Sequence, residues 1–212
     1  MVDYAQARRM MVDGQVRTAD VTDLRIIAAM LEVPRERFAP GREAIAYLDI
    51  DLPVPGGAGR ALLKPMVFAK LLQAAEIGPD DTVLDIGCAT GYSAAVLARL
   101  AGRVVALDDD DAAPALLAGM PNVTVVTGAL NAGWEQDARY DVIMIEGAAE
   151  VVPQALFGQL KDGGRLLAVV GAMPMGKATI YRVCGGHVSA HELFDAAAPA
   201  LPGFAKPPAF VF

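Results

Sequence analysis

Two acids and two glycines carry the clearest chemical pattern in this chain. Asp85 precedes the turn Gly87-Cys88-Ala89-Thr90-Gly91, and Asp108 follows 21 residues after Gly87; each acid ends an apolar run. Glycine lets a backbone turn sharply and approach a ligand that a Cβ would exclude. A helix beginning near Gly91 would aim its first N–H groups at that ligand. A carboxylate at the end of the second run can accept both hydroxyls of a ribose. The run reads D-x-G-x-x-x-G, not the dinucleotide fingerprint G-x-G-x-x-G: Ala89 stands for the middle glycine and Tyr92 for the third. Asp85 would repel a pyrophosphate but suits an ammonium and a sulfonium. These residues favour S-adenosylmethionine over NAD or a flavin. The cofactor-facing positions would be Asp85, Gly87, Cys88, Ala89, Gly91, Tyr92, Asp108 and Asp109. The plainer alternative is a strand-to-helix turn with incidental glycines.

Positioning such residues takes alternating strands and helices. Apolar runs predict strands at 82–86, 103–108, 123–127, 140–145 and 164–170, with helices at 92–101, 112–118 and 151–160. Fully apolar strands such as Val142-Ile-Met-Ile145 suit a sheet covered on both faces. Residues 3–31 read as helical, ending before Pro34. Residues 40–60 are rich in proline and glycine and read as a long, lid-like connection. A helix is expected from Pro65 to Glu76, stopped by Gly78-Pro79. Residues 178–183 and 187–194 read as a closing hairpin around Gly185-Gly186. The tail from Pro199 holds four prolines and ends in Ala-Phe-Val-Phe, a candidate edge strand. The expected architecture is an α/β, Rossmann-like, mostly parallel sheet. It would be one domain over 1–212: N-terminal helices and loop (1–60), cofactor core (61–170), and hairpin with tail (171–212).

The bulk composition narrows the partners. The 212 residues are 54% hydrophobic, enough for a substantial core, and carry a net charge of −7. The 18 basic residues are scattered, with no stripe to meet a nucleic-acid backbone. No signal-peptide pattern and no run of bilayer-spanning length is evident, so a cytoplasmic protein is expected. Cys88 and Cys184 lie in apolar surroundings and read as reduced core residues. His187 and His191 have an i, i+4 spacing, but the alternation of Val188, Ala190 and Leu193 reads as a strand, so no metal site is expected. Of the run Asp108–Asp111, only the first has the ribose position; the rest read mainly as solvated charge at a helix start.

The sequence resembles the protein-L-isoaspartate O-methyltransferase family. The resemblance rests on Met11-Val-Asp-Gly-Gln-Val-Arg17, Thr22-Asp23, Val33-Pro-Arg35 with Phe38, Ala46-Tyr47, Leu52-Pro53, the Val83–Tyr92 turn, Gly133-Trp134, Tyr140-Asp141, Val152-Pro153 and Gln159-Leu160 through Leu166. It covers roughly residues 5–170 and thins beyond them, where Leu201-Pro-Gly-Phe204 departs from the family ending. It implies a seven-stranded methyltransferase sheet and methyl transfer from S-adenosylmethionine to an isoaspartyl carboxylate of a protein or peptide, as protein repair. By the resemblance Asp85, Gly87 and Gly91 hold the methionine end and Asp108 the ribose. The backbone at Gly128-Ala129 meets the adenine.

Three departures bear on chemistry. Leu63 stands where the family has a serine at the reacting centre, with Met66 in place of a histidine. Ala129 replaces an acid. Glu146 replaces a small residue after Ile145: it reads either as a general base or cation ligand on the catalytic rim, or as a solvated loop carboxylate. Two other readings therefore accompany isoaspartyl repair. One is a S-adenosylmethionine-dependent enzyme acting on a different substrate; the other is a cofactor-binding protein without transferase activity.

Overall fold

The computed structural model describes residues 3–54, 60–110, 114–172 and 174–206. The N-terminal layer begins with α1 (Tyr4–Met11), capped by the Asp3 carboxylate, which accepts the Gln6 amide. It runs on through a π-turn at Val12–Val16 and a 3-10 turn at Arg17–Ala19. Then α2 (Leu24–Glu32) follows its own cap, Asp23, which accepts from the Arg25 amide. The proline- and glycine-rich connection holds a 3-10 turn at Glu43–Ile45 and two short antiparallel strands, β1 (Leu52–Pro53) and β2 (Ala61–Leu62). After it comes α3 (Pro65–Ala75), with its proline in the first turn, ending at Glu76 in a left-handed conformation.

The core alternates as expected: β3 (Thr82–Ile86), α4 (Tyr92–Leu97), β4 (Arg103–Asp108), α5 (Pro114–Leu117), β5 (Val123–Thr127), β6 (Tyr140–Ala149), α6 (Gln154–Gly158) and β7 (Leu160–Ala172). The hairpin is β8 (Met175–Cys184) and β9 (His187–Asp195). Together they form one seven-stranded sheet, order β5-β4-β3-β6-β7-β8-β9, parallel up to β7 and antiparallel beyond. The strand order reverses direction between β3 and β6, so the crevice at their carboxyl ends is the natural ligand site of such a sheet.

Alternation along each strand feeds two apolar layers. Val83, Val104, Ala106, Val142 and Met144 pack toward the layer of α1 to α4. Leu84, Ile86, Val105, Leu107, Ile143 and Ile145 pack toward Leu156, Leu201 and Phe204 on the other face. The helices are shorter than the sequence pattern. The end of α4 tightens into i→i+3 bonds, Arg99 to Val96 and Leu100 to Leu97. The sixth strand is longer: beyond a register shift after Met144, Ala148 and Ala149 pair with Val169 and Val170. Glu146 thus lies within a strand and is buried, which corrects its reading as a solvated loop carboxylate. Cys184 is corrected too; it sits exposed at the hairpin turn, while Cys88 is buried. Among the described residues no helix is long and apolar enough to cross a membrane.

The edge strand expected at 209–212 lies outside the described residues. Before it the chain doubles back as a strap. The Ala148 amide donates to the Pro199 carbonyl at 2.7 Å and the Leu201 amide to the Ala148 carbonyl at 2.9 Å, beside an isolated parallel bridge of Ala148 with Ala200. Glu150 and Val151 both donate to the Phe204 carbonyl.

Candidate functional site

The turn after β3 is built by backbone bonds onto β4. Gly87 and Cys88 amides both donate to the Leu107 carbonyl, and the Gly91 amide closes back on Cys88. Gly87 (φ 81°), Ala89 (φ 52°) and Gly91 (φ 96°) are left-handed. Ala89, the residue in place of the middle glycine, therefore sits where an alanine is strained by about 1 kcal/mol. Its amide is compensated by donating to Asp108 Oδ2 at 2.7 Å. The turn is fixed to the N-terminal layer by the Thr90 hydroxyl, which donates to the Phe38 carbonyl at 2.6 Å.

Three buried carboxylates converge on this turn. Asp85 Oδ2 accepts from the Ser93 hydroxyl at 2.7 Å, whereas its Oδ1 is buried without a hydrogen-bond partner. Burial raises Asp85 to about 7, and the nearby Asp108 charge adds to that. Burial likewise holds the Glu146 carboxyl well above the carboxylate range, reinforced by Asp85, and its Oε1 also lacks a partner. Burial pushes Asp108 up to about 6, against the counter-pull of Arg60. Asp85 and Glu146 each keep one buried oxygen free to accept from a cationic ligand, and Asp108 ends the next strand as an acceptor suited to vicinal hydroxyls.

Sequence positions 83 residues apart meet here: Leu63 and Glu146 line one small cavity with Gly87, Cys88, Tyr92 and Ser93. Asp108 and Asp109 gather on the other side of Ala89. The Gly128 amide donates to the Asp108 carbonyl, while Ala129 is exposed beside it. Tyr92 is sunk into the core, its ring against Phe38 and Phe68 and 4.6 Å from the Arg35 guanidinium.

Five contributors to the site escaped the sequence reading. Ser93 orients Asp85. Asp49 and Asp51 accept the Met66 and Lys64 amides and so cap the start of α3. Arg60, buried, donates through Nη2 to Asp108 Oδ1 at 2.7 Å and also pairs with Asp109. Leu201 of the strap lies on Gly87: a Cβ there would meet its methyl at 2.8 Å. A lone arginine just before Ala61-Leu-Leu63 was the available signal for Arg60; nothing in the tail sequence signalled its return.

The fold and this turn match known proteins. The profile of the family Protein-L-isoaspartate(D-aspartate) O-methyltransferase matches residues 6–183. The chain belongs to this family. A protein-L-isoaspartate O-methyltransferase of Koribacter versatilis is 35% identical over 202 residues, 92% of this chain and 90% of its own length. Another, from Rhodopseudomonas palustris, is 40% identical over 176 residues, covering 80% and 71%. A solved protein-L-isoaspartate O-methyltransferase shares the fold with a TM-score of 0.81 at 24% identity, over 92% of this chain and 66% of that one. A Plasmodium falciparum structure, described as a putative member in complex with S-adenosyl-L-homocysteine, gives 0.77 at 16% identity, over 92% and 97%. The resemblance and the seven-stranded methyltransferase sheet read from the sequence thus hold. Within the isoaspartate methyltransferase fold of this chain, little space remains beside the turn. The cavity between Leu63, Gly87 and Glu146 measures about 10 Å³. A wider one, about 680 Å³, opens elsewhere, between Val170, Met175 and Ala197, and none of the site residues lines it.

Proposed function

We propose that the chain is an S-adenosylmethionine-dependent carboxyl methyltransferase acting on isoaspartyl residues of proteins or peptides. The observation that carries this is the pair of buried acids, Asp85 and Asp108, at the carboxyl ends of adjacent parallel strands around a left-handed glycine turn, with Asp85 Oδ1 left without a donor. Their chemistry fits the cofactor: Asp85, oriented by Ser93, would take the ammonium, and Asp108 the ribose hydroxyls. Bound there, S-adenosylmethionine supplies an activated methyl for in-line transfer to an oxygen.

The residues of the chain then have three tasks. Arg35 fixes the acceptor segment by donating to the Leu63 carbonyl at 2.9 Å and the Ala46 carbonyl at 2.8 Å. Leu63, Phe68 and Tyr92 keep water out. Glu146 is the third. A carboxylate acceptor is already ionised at neutral pH and needs no base. An ionised Glu146 would repel it, but burial beside Asp85 favours the protonated form of Glu146. Its O–H can then donate to the acceptor at the place where Leu63 offers no hydroxyl. A methyltransferase acting on a different acceptor is favoured by this same substitution and is separated by substrate.

The test is radiolabelled methyl transfer from S-adenosylmethionine to an isoaspartyl peptide and to its aspartyl counterpart. Base-labile label on the isoaspartyl peptide alone is expected. Cofactor binding with no transfer to either peptide would sink the substrate assignment.

A further inference from the structure

The cofactor reading above meets an obstruction made by the chain itself. Asp108 has neither oxygen free: Oδ1 takes Arg60 Nη2 at 2.7 Å and the Asp109 amide at 2.8 Å, and Oδ2 takes the Ala89 amide at 2.7 Å. The Arg60 side chain is 1% exposed, yet its Nε and Nη1 are buried without partners. A guanidinium that leaves two donors unpaired is poorly compensated for its desolvation. On the other side of the turn, the space freed by the absent Cβ of Gly87 is filled by the Leu201 methyls, at 2.8 and 3.1 Å from the Cβ position. The Leu201 Cβ also lies 3.0 Å from the Cβ position of Gly147. The cradle of the turn is therefore packed by protein. The cavity beside the turn, between Leu63, Gly87 and Glu146, is only about 10 Å³ and adds no room for the methionine end.

We propose that Arg60 and Leu201 set the cofactor affinity of this chain by holding its site shut: Arg60 stands in for the ribose hydroxyls on Asp108, and the Pro199–Phe204 strap covers the methionine end. The two closures differ in how they are held. Arg60 is under-satisfied where it sits. The strap is tied to β6 by two backbone bonds at Ala148 and two more to the Phe204 carbonyl. Cofactor entry must exchange the ion pair for hydroxyl bonds and lift Leu201. When the binding-competent form is a fraction of the population, apparent affinity falls by that fraction, and a change that frees the site restores it.

Arg60→Gln and Asp108→Asn make the decisive pair, because both break the same ion pair. S-adenosylhomocysteine binding to the full chain is measured by calorimetry, with circular dichroism confirming that each variant is folded. Arg60→Gln should bind at least tenfold more tightly than the wild type, and Asp108→Asn at least tenfold more weakly. Leu201→Ala should bind tighter and associate faster, followed by the fluorescence of Trp134, the single tryptophan, which packs beside Gly128. Hydrogen exchange should show the Leu201 amide losing protection on adding S-adenosylhomocysteine while the 85–91 turn gains it. Equal or weaker binding by both Arg60→Gln and Leu201→Ala, with a wild type that binds, overturns the closure and leaves the cofactor reading intact. Added protection at Leu201 overturns the part of the strap. Absence of binding by the wild type and all three variants overturns the cofactor reading itself.

Discussion

Two arginines are buried on either side of the same turn, and they are held in opposite ways. Arg35 is fully buried and its bonds go to the backbone carbonyls of Ala46 and Leu63, with Tyr92 stacked on it at 4.6 Å. Those partners belong to the fold and have no competitor. Arg60 is as deeply buried, but its partners are the Asp108 and Asp109 carboxylates, one of which is the group a ribose would use. The first arginine fixes the acceptor segment; the second holds a place. Burial alone does not separate a structural cation from an exchangeable one. The identity of the acceptor does: carbonyls locked in a chain turn stay satisfied only by that arginine, whereas a carboxylate at a strand end accepts any suitable donor.

The largest effect should come from Arg35→Ala. It strands two buried carbonyls, each costing about 1–3 kcal/mol, and removes the stem packed on Tyr92. We expect a loss of about 3–5 kcal/mol in denaturant unfolding. A loss under about 1 kcal/mol would erase the distinction between the two arginines. Next is Asp108→Ala, which among the described residues leaves Arg60 with the half-exposed Asp109. We expect about 2–3 kcal/mol of destabilisation, short of the full cost of a stranded buried charge because Asp109 remains. If the unfolding free energy is unchanged, the ion pair does not hold the site.

The contrast between these regions also marks what could be read from the residues. Periodicity placed β3, β4 and β5 at their observed bounds: β3 and β4 are largely apolar, buried parallel strands, and β5, half-exposed at the sheet edge, mixes valine with threonine. Asp85, Gly87, Gly91 and Asp108 were legible because local backbone geometry dictates them. Arg60 and Leu201 were not, because they reach the site through tertiary contact across 48 and 114 residues from Asp108 and Gly87. Glu146 was visible, but the choice between a rim residue and a solvated loop carboxylate stayed open, since the β6–β7 register shift that extends its strand has no signature in sequence. Arg35 was legible as a motif residue, though its grip on Leu63 depends on how residues 46 and 63 are brought together.

Leu63→Ser probes the segment that Arg35 holds. Leu63 is buried, its carbonyl is anchored, and its side chain faces the cavity shared with Glu146. A hydroxyl there adds a donor for the acceptor, worth about 1–3 kcal/mol, or roughly five- to 150-fold in kcat/KM on an isoaspartyl peptide. Unchanged turnover would mean that Glu146 already fills the role or that position 63 is not at the reacting centre. Combining Leu63→Ser with Glu146→Gln separates these.

The last effect is on pH dependence, and its sign is opposite to that of an ordinary acidic protein. Burial raises Asp85 to about 7 and Asp108 to about 6, and lifts Glu146 well above its usual range. Between pH ~4, where carboxyls of an unfolded chain ionise, and these values, the folded chain binds more protons than the unfolded one. Stability contributed by these groups is thus complete below pH ~4 and is lost as pH rises through the folded values. Carboxylates held low by partners, such as Asp23 beside Arg25 and Asp141 beside Lys161, titrate below that window and do not offset it. The melting temperature should therefore fall from pH 5.5 to pH 8. In a domain of this size each kcal/mol lost is worth about 2–4 °C. Asp85→Asn and Glu146→Gln should each flatten the fall. A ligand carrying an ammonium favours the ionised acids, so S-adenosylhomocysteine should bind more tightly at pH 8 than at pH 5.5 and release protons on binding, read from the buffer dependence of the calorimetric heat. A melting temperature that rises across the same interval would show that the three acids are not buried together, and the electrostatic basis for the cofactor site would go with them.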